Sequence, residues 1–389
     1  MNKANEKPPI LWLQTLIFSI TLLIALIAVP WYAFTHGYSL AIVICALLFW
    51  ISNGISITAG YHRLWSHHTY KAHPLLKILL ALFGAAATQN SILVWASGHR
   101  RHHRYVDDNE RDPYSAKKGF WFSHIGWMLR HYDSGKDNFD NAKDLQRDKI
   151  VMWQHRHYLA ITLAMNFIPP LLVGIAAGDI IGSLLLVGVL RLVISHHTTF
   201  LINSLAHIWG KRPYTESNTA RDNGFIALLT YGEGYHNYHH LFQYDYRNGV
   251  RWWQFDPTKW LIKSASWVGL TKDLKRAPSF KIHKAVLDMK FKKAKAKLAS
   301  TSKTEASSQL EWSKILEQEY QQFSNILNEW NQLRQKWYEQ KRDKLNEATH
   351  ALQEKWHSTA LHTRFKELKY ALKMQTRRLD LLTQQFSAA

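Results

Sequence analysis

Gly98-His99-Arg100-Arg101-His102-His103-Arg104 is the stretch that decides the fold. On a helix, His99, His102 and His103 stand at i, i+3 and i+4, so the three imidazoles leave from one face. Alone, the pattern reads as a basic, solvated helix, because Arg100, Arg101 and Arg104 are interleaved. Repetition changes the reading. His62-Arg63-Leu64-Trp65-Ser66-His67 lies upstream, and His236-Asn237-Tyr238-His239-His240, with the same HxxHH spacing, lies downstream. Converging neutral imidazoles make a nitrogen-rich metal site, and three clusters that share a pocket must lie on one side of any membrane.

A membrane is expected from the apolar blocks. The 389-residue chain is 47% hydrophobic and carries a formal charge of +20. Its mean hydropathy is slightly negative only because apolar runs alternate with highly charged ones. Spans are predicted at about residues 10–34, 40–57, 160–176 and 180–200, each long enough for a bilayer. Residues 75–95 are tempting as a further span, but Gln89, Asn90 and Ser91 interrupt them, and a crossing there would put the first two clusters on opposite sides. They are therefore assigned to a helix along the interface. Pro169-Pro170 is expected to kink the third span, and Arg191 in the fourth needs an internal partner or a route to the interface. Four spans leave both short connections without Lys or Arg and put the basic loops, both termini and all three clusters on the cytoplasmic side, at the inner membrane if the source is bacterial. The excess of Lys and Arg then reflects loops facing anionic lipid, not nucleic acid. The single cysteine, Cys45, excludes an internal disulfide and a thiolate-rich metal site.

The expected fold class is all-α: four transmembrane helices with a cytoplasmic helical cap that holds the metals, plus a C-terminal extension. The predicted division is 1–280 as the membrane domain, 281–309 as a basic linker, in which Lys281 to Lys303 reads as an interfacial helix or tether and Ala299-Ser300-Thr301-Ser302 as a linker, and 310–389 as a helical tail. In that tail, Leu316, Tyr320, Phe323, Leu327, Trp330 and Trp337 follow a 3,4 spacing that predicts a helical hairpin or coiled coil, interrupted at Arg334.

Eight histidines exceed the four ligands of a structural zinc site and suit two metal ions with room for exchangeable ligands. Imidazoles suit zinc, copper, iron and nickel; two redox metals that bind dioxygen could abstract hydrogen from an unactivated carbon, a step zinc cannot perform, and of these metals iron is the one expected. A site at the ends of membrane helices points to a lipid-like substrate.

The ordered clusters, together with Ile57-Thr58-Ala59-Gly60, Thr69-Tyr70-Lys71, Asp112-Pro113, the run from Gly119 to Trp127, and Asn203-Ser204-Leu205-Ala206-His207, resemble the membrane fatty acyl desaturases of the stearoyl-CoA delta-9 type. The likeness covers roughly residues 10–275 and leaves out the tail. It implies that His62, His67, His99, His102, His103, His236, His239 and His240 are iron ligands, with His207 as a ninth and Asn203 reaching one iron through water. It implies a reaction that takes two adjacent hydrogens from a saturated acyl chain, using O2 and two external electrons, to leave a cis double bond. It places the head-group clamp near Asn90 and Lys117-Lys118, and the tunnel wall near Trp95, Thr199 and Phe200. Trp50, about three turns before His62, is a candidate for the closed end of the tunnel. His68, His73, His124, His196 and His197 are assigned to the surface or to packing.

One departure bears on the substrate. Animal members carry Arg-Asp before the second cluster, where this chain has Ser97-Gly98, so an acyl group on carrier protein or in a phospholipid stands as an alternative to acyl-CoA. The electrons are expected from a separate donor, such as a ferredoxin, cytochrome b5 or a flavoprotein reductase. The rival activities are a histidine-box hydroxylase or alkane monooxygenase, and a non-enzymatic, metal-storing membrane scaffold.

Overall fold

In the computed structural model, which describes residues 8–300, 306–343 and 351–388, the apolar blocks form helices. Lys3 and Lys7 before the first block, and Thr301-Ser302 of the expected linker, lie outside the described residues. Helix α1 (Trp12–Thr35) turns into α2 (Leu40–Ser66) at Ser39, whose hydroxyl accepts from the Ile42 amide and caps α2. Next come α3 (Pro74–Ala86) and α4 (Ile92–Tyr105). After single-turn helices, α5 (Lys149–Arg156) starts on the Asp148 cap. Helix α6 (Tyr158–Ala177) stops at Gly178, whose left-handed φ of 70° suits glycine, and α7 (Ile180–Ile208) starts on the Asp179 cap. Shorter helices α8 (Gly224–Leu229), α9 (His236–Leu241) and α10 (Pro257–Trp267) complete the first unit.

Among the described residues, α1, α2, α6 and α7 are the helices long and apolar enough to cross a membrane. Only 11% of the apolar stretch of α1 and 17% of that of α6 is buried. Side chains such as Leu26, Ile27 and Leu172 point outward, where only lipid would keep them dry. The two connections meet at one end, where the Tyr32 hydroxyl donates to Asp179 Oδ1 at 2.6 Å. At the other end the chain before α1 lies against residues 129–131, with the Leu11 amide donating to the Leu129 carbonyl. All three histidine clusters therefore emerge at that second end.

The stretch 75–95 is two helices, not one. Thr88 and Asn90 take positive φ values of 53° and 74° and break it, and α3, 13 residues long, spans about 20 Å against the roughly 30 Å of a bilayer core. Pro169 and Pro170 lie inside an unbroken α6. Arg191 finds internal partners without any carboxylate. Its guanidinium donates to Asn53 Oδ1, the Ala86 carbonyl and Asn166 Oδ1 at 2.8–2.9 Å and lies over the Phe49 ring, tying α2, α3, α6 and α7 together. A two-residue antiparallel ribbon, Lys71–Ala72 against Thr271–Lys272, fastens the chain after the first cluster to the exit of α10.

The chain divides into two compact units, residues 1–212 with 217–276, and residues 213–216 with 277–389. The second unit is a bundle of α11 (Ser279–Ser300), α12 (Ala306–Asp343) and α13 (Ala351–Ala388). Phe280, Leu287, Ala294 and Leu298 of α11 pack with Leu316, Phe323, Leu327 and Trp330 of α12 and with Leu368, Leu372 and Leu379 of α13. Most of the segment expected as a basic linker is thus a core helix. Its apolar residues recur every seven positions beneath a dense cover of lysines, which hid them from the composition. These contacts define a three-helix bundle and do not show a coiled coil; the side chain of Trp337 lies outside the described residues.

Candidate metal centre

The last eleven residues of α2, Ser56–Ser66, wind as a π-helix. On an α-helix, His67 would stand about 140° around the axis from His62. The wider winding pairs residues five apart, and the His67 amide donates to the His62 carbonyl at 3.2 Å, bringing both rings to one side. His99, His102 and His103 come from the last two turns of α4, and His236, His239 and His240 from α9. Asn203 precedes a break in α7 at Ser204, after which a final turn carries His207.

Nine histidines converge as two groups: His62, His67, His99, His103 and His239, and His102, His207, His236 and His240. Within each group, one nitrogen of every ring lies within 4.8 Å of that of every other. The two HxxHH motifs exchange members. Helix α4 gives its i, i+4 pair, His99 and His103, to the first group and His102 to the second, whereas α9 gives His236 and His240 to the second and His239 to the first. The three rings of one motif therefore serve two sites.

The spacing suits metal ions. Nε2 atoms face each other at 3.0 Å (His62 and His239), 2.9 Å (His67 and His99) and 3.0 Å (His103 and His239) in the first group, and at 3.1 Å (His207 and His236, His236 and His240) in the second. Two nitrogens each about 2.1 Å from one ion lie about 3.0 Å apart at a right angle and about 3.4 Å apart at the tetrahedral angle. The observed edges match the right angle more nearly than the tetrahedral one.

Groups behind the rings hold them with Nε2 inward. His102 Nδ1 lies 2.9 Å from Asp112 Oδ1, His207 Nδ1 2.9 Å from Thr219 Oγ1, and His99 Nδ1 3.3 Å from the Tyr114 hydroxyl. His62 Nδ1 is 2.9 Å from Glu233 Oε2 but is not aligned as a hydrogen bond, and Nδ1 of His236 and His239 is buried without a partner. Burial, then the neighbouring imidazoles, push His67, His99, His103, His236, His239 and His240 well below the ordinary histidine range, so the rings are neutral and available as ligands. Burial raises Glu233, but His62 and Arg63 outweigh it and its carboxyl stays ionised, below the ordinary value. Nearby, burial pushes Asp222 up to about 7 although backbone amides of Tyr238 and Asn237 oppose it.

Of the expected substrate contacts, Trp95 stacks on His99 with ring centroids 4.9 Å apart and packs edge-on against Tyr61. Its Nε1 donates to Gln89 Oε1 at 3.3 Å, and Gln89 Nε2 donates to Thr199 Oγ1 at 2.9 Å. Gln89 thereby joins two tunnel-wall candidates beside the five-histidine group; its only signal in the sequence was a polar side chain interrupting an apolar run. Phe200 is buried against His124, His196 and Phe18. Asn90 is exposed, and its amide donates to the Tyr158 hydroxyl at 2.9 Å. Lys117 and Lys118 are exposed, with Lys118 Nζ 5.0 Å from the Phe122 ring centroid. Trp50 packs on Tyr231, and its Nε1 is buried without a partner. His124 and His197 bond each other at 3.0 Å, and His196 Nε2 lies 3.0 Å from the Ala87 carbonyl, so these rings pack outside both groups. His68 pairs with Asp144 at 2.8 Å, and His73 caps α3.

Comparison with known proteins meets this geometry. The profile described as "Fatty acid desaturase" matches residues 37–266. A protein of Schizosaccharomyces pombe described as "Probable acyl-CoA desaturase" is 46% identical over 260 residues, covering 67% of this chain and 54% of its own. "Acyl-CoA desaturase 1" of Saccharomyces cerevisiae is 42% identical over 275 residues, 70% of this chain and 54% of its own. The chain thus spans about half the length of these two relatives. The "sn-2 palmitoyl-lipid 9-desaturase" of Nostoc sp. is 34% identical over 283 residues, 71% of this chain and 94% of its own. A shared profile over more than half of the chain, with all nine histidines of the paired groups inside it, establishes that this protein belongs to the fatty acid desaturase family.

Proposed function

We propose that this protein is an oxygen-dependent desaturase that inserts a cis double bond, at the delta-9 position, into a saturated acyl chain carried by coenzyme A. The observation that carries the reading is the pair of nitrogen-only groups, five and four imidazoles, at the ends of helices suited to a bilayer. His62, His67, His99, His103 and His239 would hold one iron, and His102, His207, His236 and His240 the other, with Asn203 a further ligand through water. Iron at these positions supplies the oxidising power, with O2 and two electrons, to remove hydrogen from an unactivated carbon. The chain's own residues do the placing. Trp95, stacked on His99 and bonded to Gln89, which is bonded in turn to Thr199, would form the wall beside the five-histidine group, with Phe200 as a further wall residue and Trp50 as the candidate for the closed end. An acyl chain has no polar handle, so the position of the double bond follows from where its head is clamped and where the wall turns it. Lys117 and Lys118 present charge to the head group, as point charges without the bidentate fork of arginine. The site faces the cytoplasm, following the excess of basic residues on its side, and the net charge of +20 favours an acidic, separate electron donor.

A second reading, an acyl chain on intact phospholipid, has its own support. The Nostoc relative, named for a lipid-linked substrate, is covered over 94% of its length. Ser97, at a position where the resemblance puts a head-group contact in animal members, is buried with its hydroxyl engaged by Asn141 Oδ1 and the Asn138 carbonyl. Expression in a host without desaturases, followed by mass spectrometry of the coenzyme A and phospholipid pools, tests both. New cis-alkenes first in the acyl-CoA pool support the proposal, their first appearance in phospholipid supports the second reading, and alcohols in place of alkenes overturn both.

A further inference from the structure

The two histidine groups stand in different electrostatic surroundings. Behind the five-histidine group, Glu233 Oε1 takes Arg63 Nη2 at 2.9 Å, and Asp256 takes the same guanidinium at 3.0 Å. Lys259, whose Nζ donates to the carbonyls of Gly249, Arg251 and Gln254, lies within the field of Asp256. The two cations balance the two carboxylates, so although Glu233 Oε2 lies 2.9 Å from His62 Nδ1, little net charge is left to reach the first ion position.

Behind the four-histidine group the balance differs. Asp112, fully buried, takes His102 Nδ1 at 2.9 Å on Oδ1 and accepts the Asp107 amide at 3.1 Å on Oδ2. The Asp107 carboxylate accepts the Thr219 amide at 2.7 Å and the Thr219 hydroxyl at 2.6 Å. Thr219 has one hydroxyl proton, and Asp107 takes it, so its oxygen faces His207 Nδ1, 2.9 Å away, as an acceptor. That fixes the proton of His207 on Nδ1 and leaves Nε2 for a metal. Asp107 also holds a left-handed φ of 68°, a conformation that an L-residue keeps only when its surroundings enforce it. Among the described residues, no Lys or Arg pairs with Asp107 or Asp112.

We propose that the four-histidine group is the anionic member of the pair and binds its cation the more tightly, and that Asp107 is a positioning residue for His207, acting through Thr219. The inference rests on the reading that both groups hold metal. Two carboxylates without a cationic partner, one hydrogen bond from His102 and two from His207, attract a cation held by those rings, whereas the charges behind the other group cancel.

The test uses the full chain loaded with iron-57 and dialysed against graded chelator. Metal per chain is counted by mass spectrometry, and the iron environments are read by Mössbauer spectroscopy. Wild type is expected to hold two irons that leave in two steps. Asp112→Asn, Asp107→Asn and Thr219→Val each move the later step to lower chelator by roughly 10- to 100-fold, as for other outer-sphere partners of metal ligands. They alter one of the two iron signals, whereas Glu233→Gln shifts its own step by less. Thr219→Ser, which keeps the hydroxyl, restores wild-type release and shows that a loss in Thr219→Val is not misfolding. Equal shifts in Glu233→Gln and Asp112→Asn, or wild-type release in both Thr219→Val and Asp107→Asn, overturn the proposal. Two irons that leave together refute it while sparing the two-metal reading; fewer than two in wild type refutes both.

Discussion

Replacing Arg191 with leucine is expected to loosen the membrane unit by about 3 kcal/mol, the low end of what removing one partner from a buried charged contact costs. The guanidinium is 1% exposed and donates to Asn53 Oδ1, the Ala86 carbonyl and Asn166 Oδ1, from three different helices. Leucine fills part of the volume but leaves those three acceptors without that donor, each at about 1–3 kcal/mol. Release of a charge buried without a carboxylate offsets part of the sum. At roughly 2–4 °C per kcal/mol for a chain of this size, the midpoint of thermal unfolding in detergent falls by about 6–12 °C. Arg191→Lys keeps the charge but cannot reach all three oxygens, and is expected to lie between. Adding Asn53→Leu to Arg191→Leu removes one orphaned acceptor and recovers part of the loss, a coupling that a double-mutant cycle isolates. A midpoint for Arg191→Leu within 2 °C of wild type, measured by fluorescence-detected chromatography after heating, would refute the view that this side chain joins the helices.

Further expectations concern the site. His102→Ala and His239→Ala, neighbours in spacing to ligands of the opposite group, are each expected to abolish turnover while the protein inserts and remains monodisperse; near-normal product formation in either contradicts its assignment. Lys117→Glu with Lys118→Glu is expected to raise the apparent KM for an acyl-CoA about tenfold or more with kcat little changed, whereas unchanged kinetics would point to a lipid-borne substrate. In metal-free protein, stability is expected to fall as the pH drops through about 6.5. The unfolded chain binds protons there, while burial holds His67, His99, His103, His236, His239 and His240 unprotonated in the fold. Asp222, raised to about 7, acts in the opposite sense, gaining stability as pH falls below that value, but it is one carboxyl against six imidazoles. A melting temperature that is flat or rises from pH 7 to pH 5 would contradict this sign.

Much of this was written in residue spacing, and the remainder was not, for identifiable reasons. Apolar length located the four helices long and apolar enough to cross a membrane, and the repeated HxxHH predicted convergence. Which imidazole serves which ion was hidden, because i, i+3, i+4 spacing puts three rings on one face and says nothing about two targets on that face. The HxxxxH spacing of His62 and His67 fits one site only through the π-winding of α2, which has no local sequence signal. The break between α3 and α4 rests on Thr88 and Asn90 in left-handed conformations, and threonine is a poor advertisement for one. Glu233, Asp107 and Thr219 act from loops by contacts across up to 177 intervening positions of chain, such as those that set His62 against His239, so no periodicity could mark them. The lysines of α11 mask its apolar seven-residue repeat, so its composition suggests an interfacial helix or tether where the structure has a helix packed in the bundle core.

Iron K-edge X-ray absorption of purified, iron-replete protein tests the central claim most directly. Two irons per chain with a first shell dominated by imidazole nitrogen, nine rings shared between two ions, at about 2.1 Å, is the predicted result. A single iron, a sulfur-rich shell, or zinc in tetrahedral coordination in place of iron would contradict it.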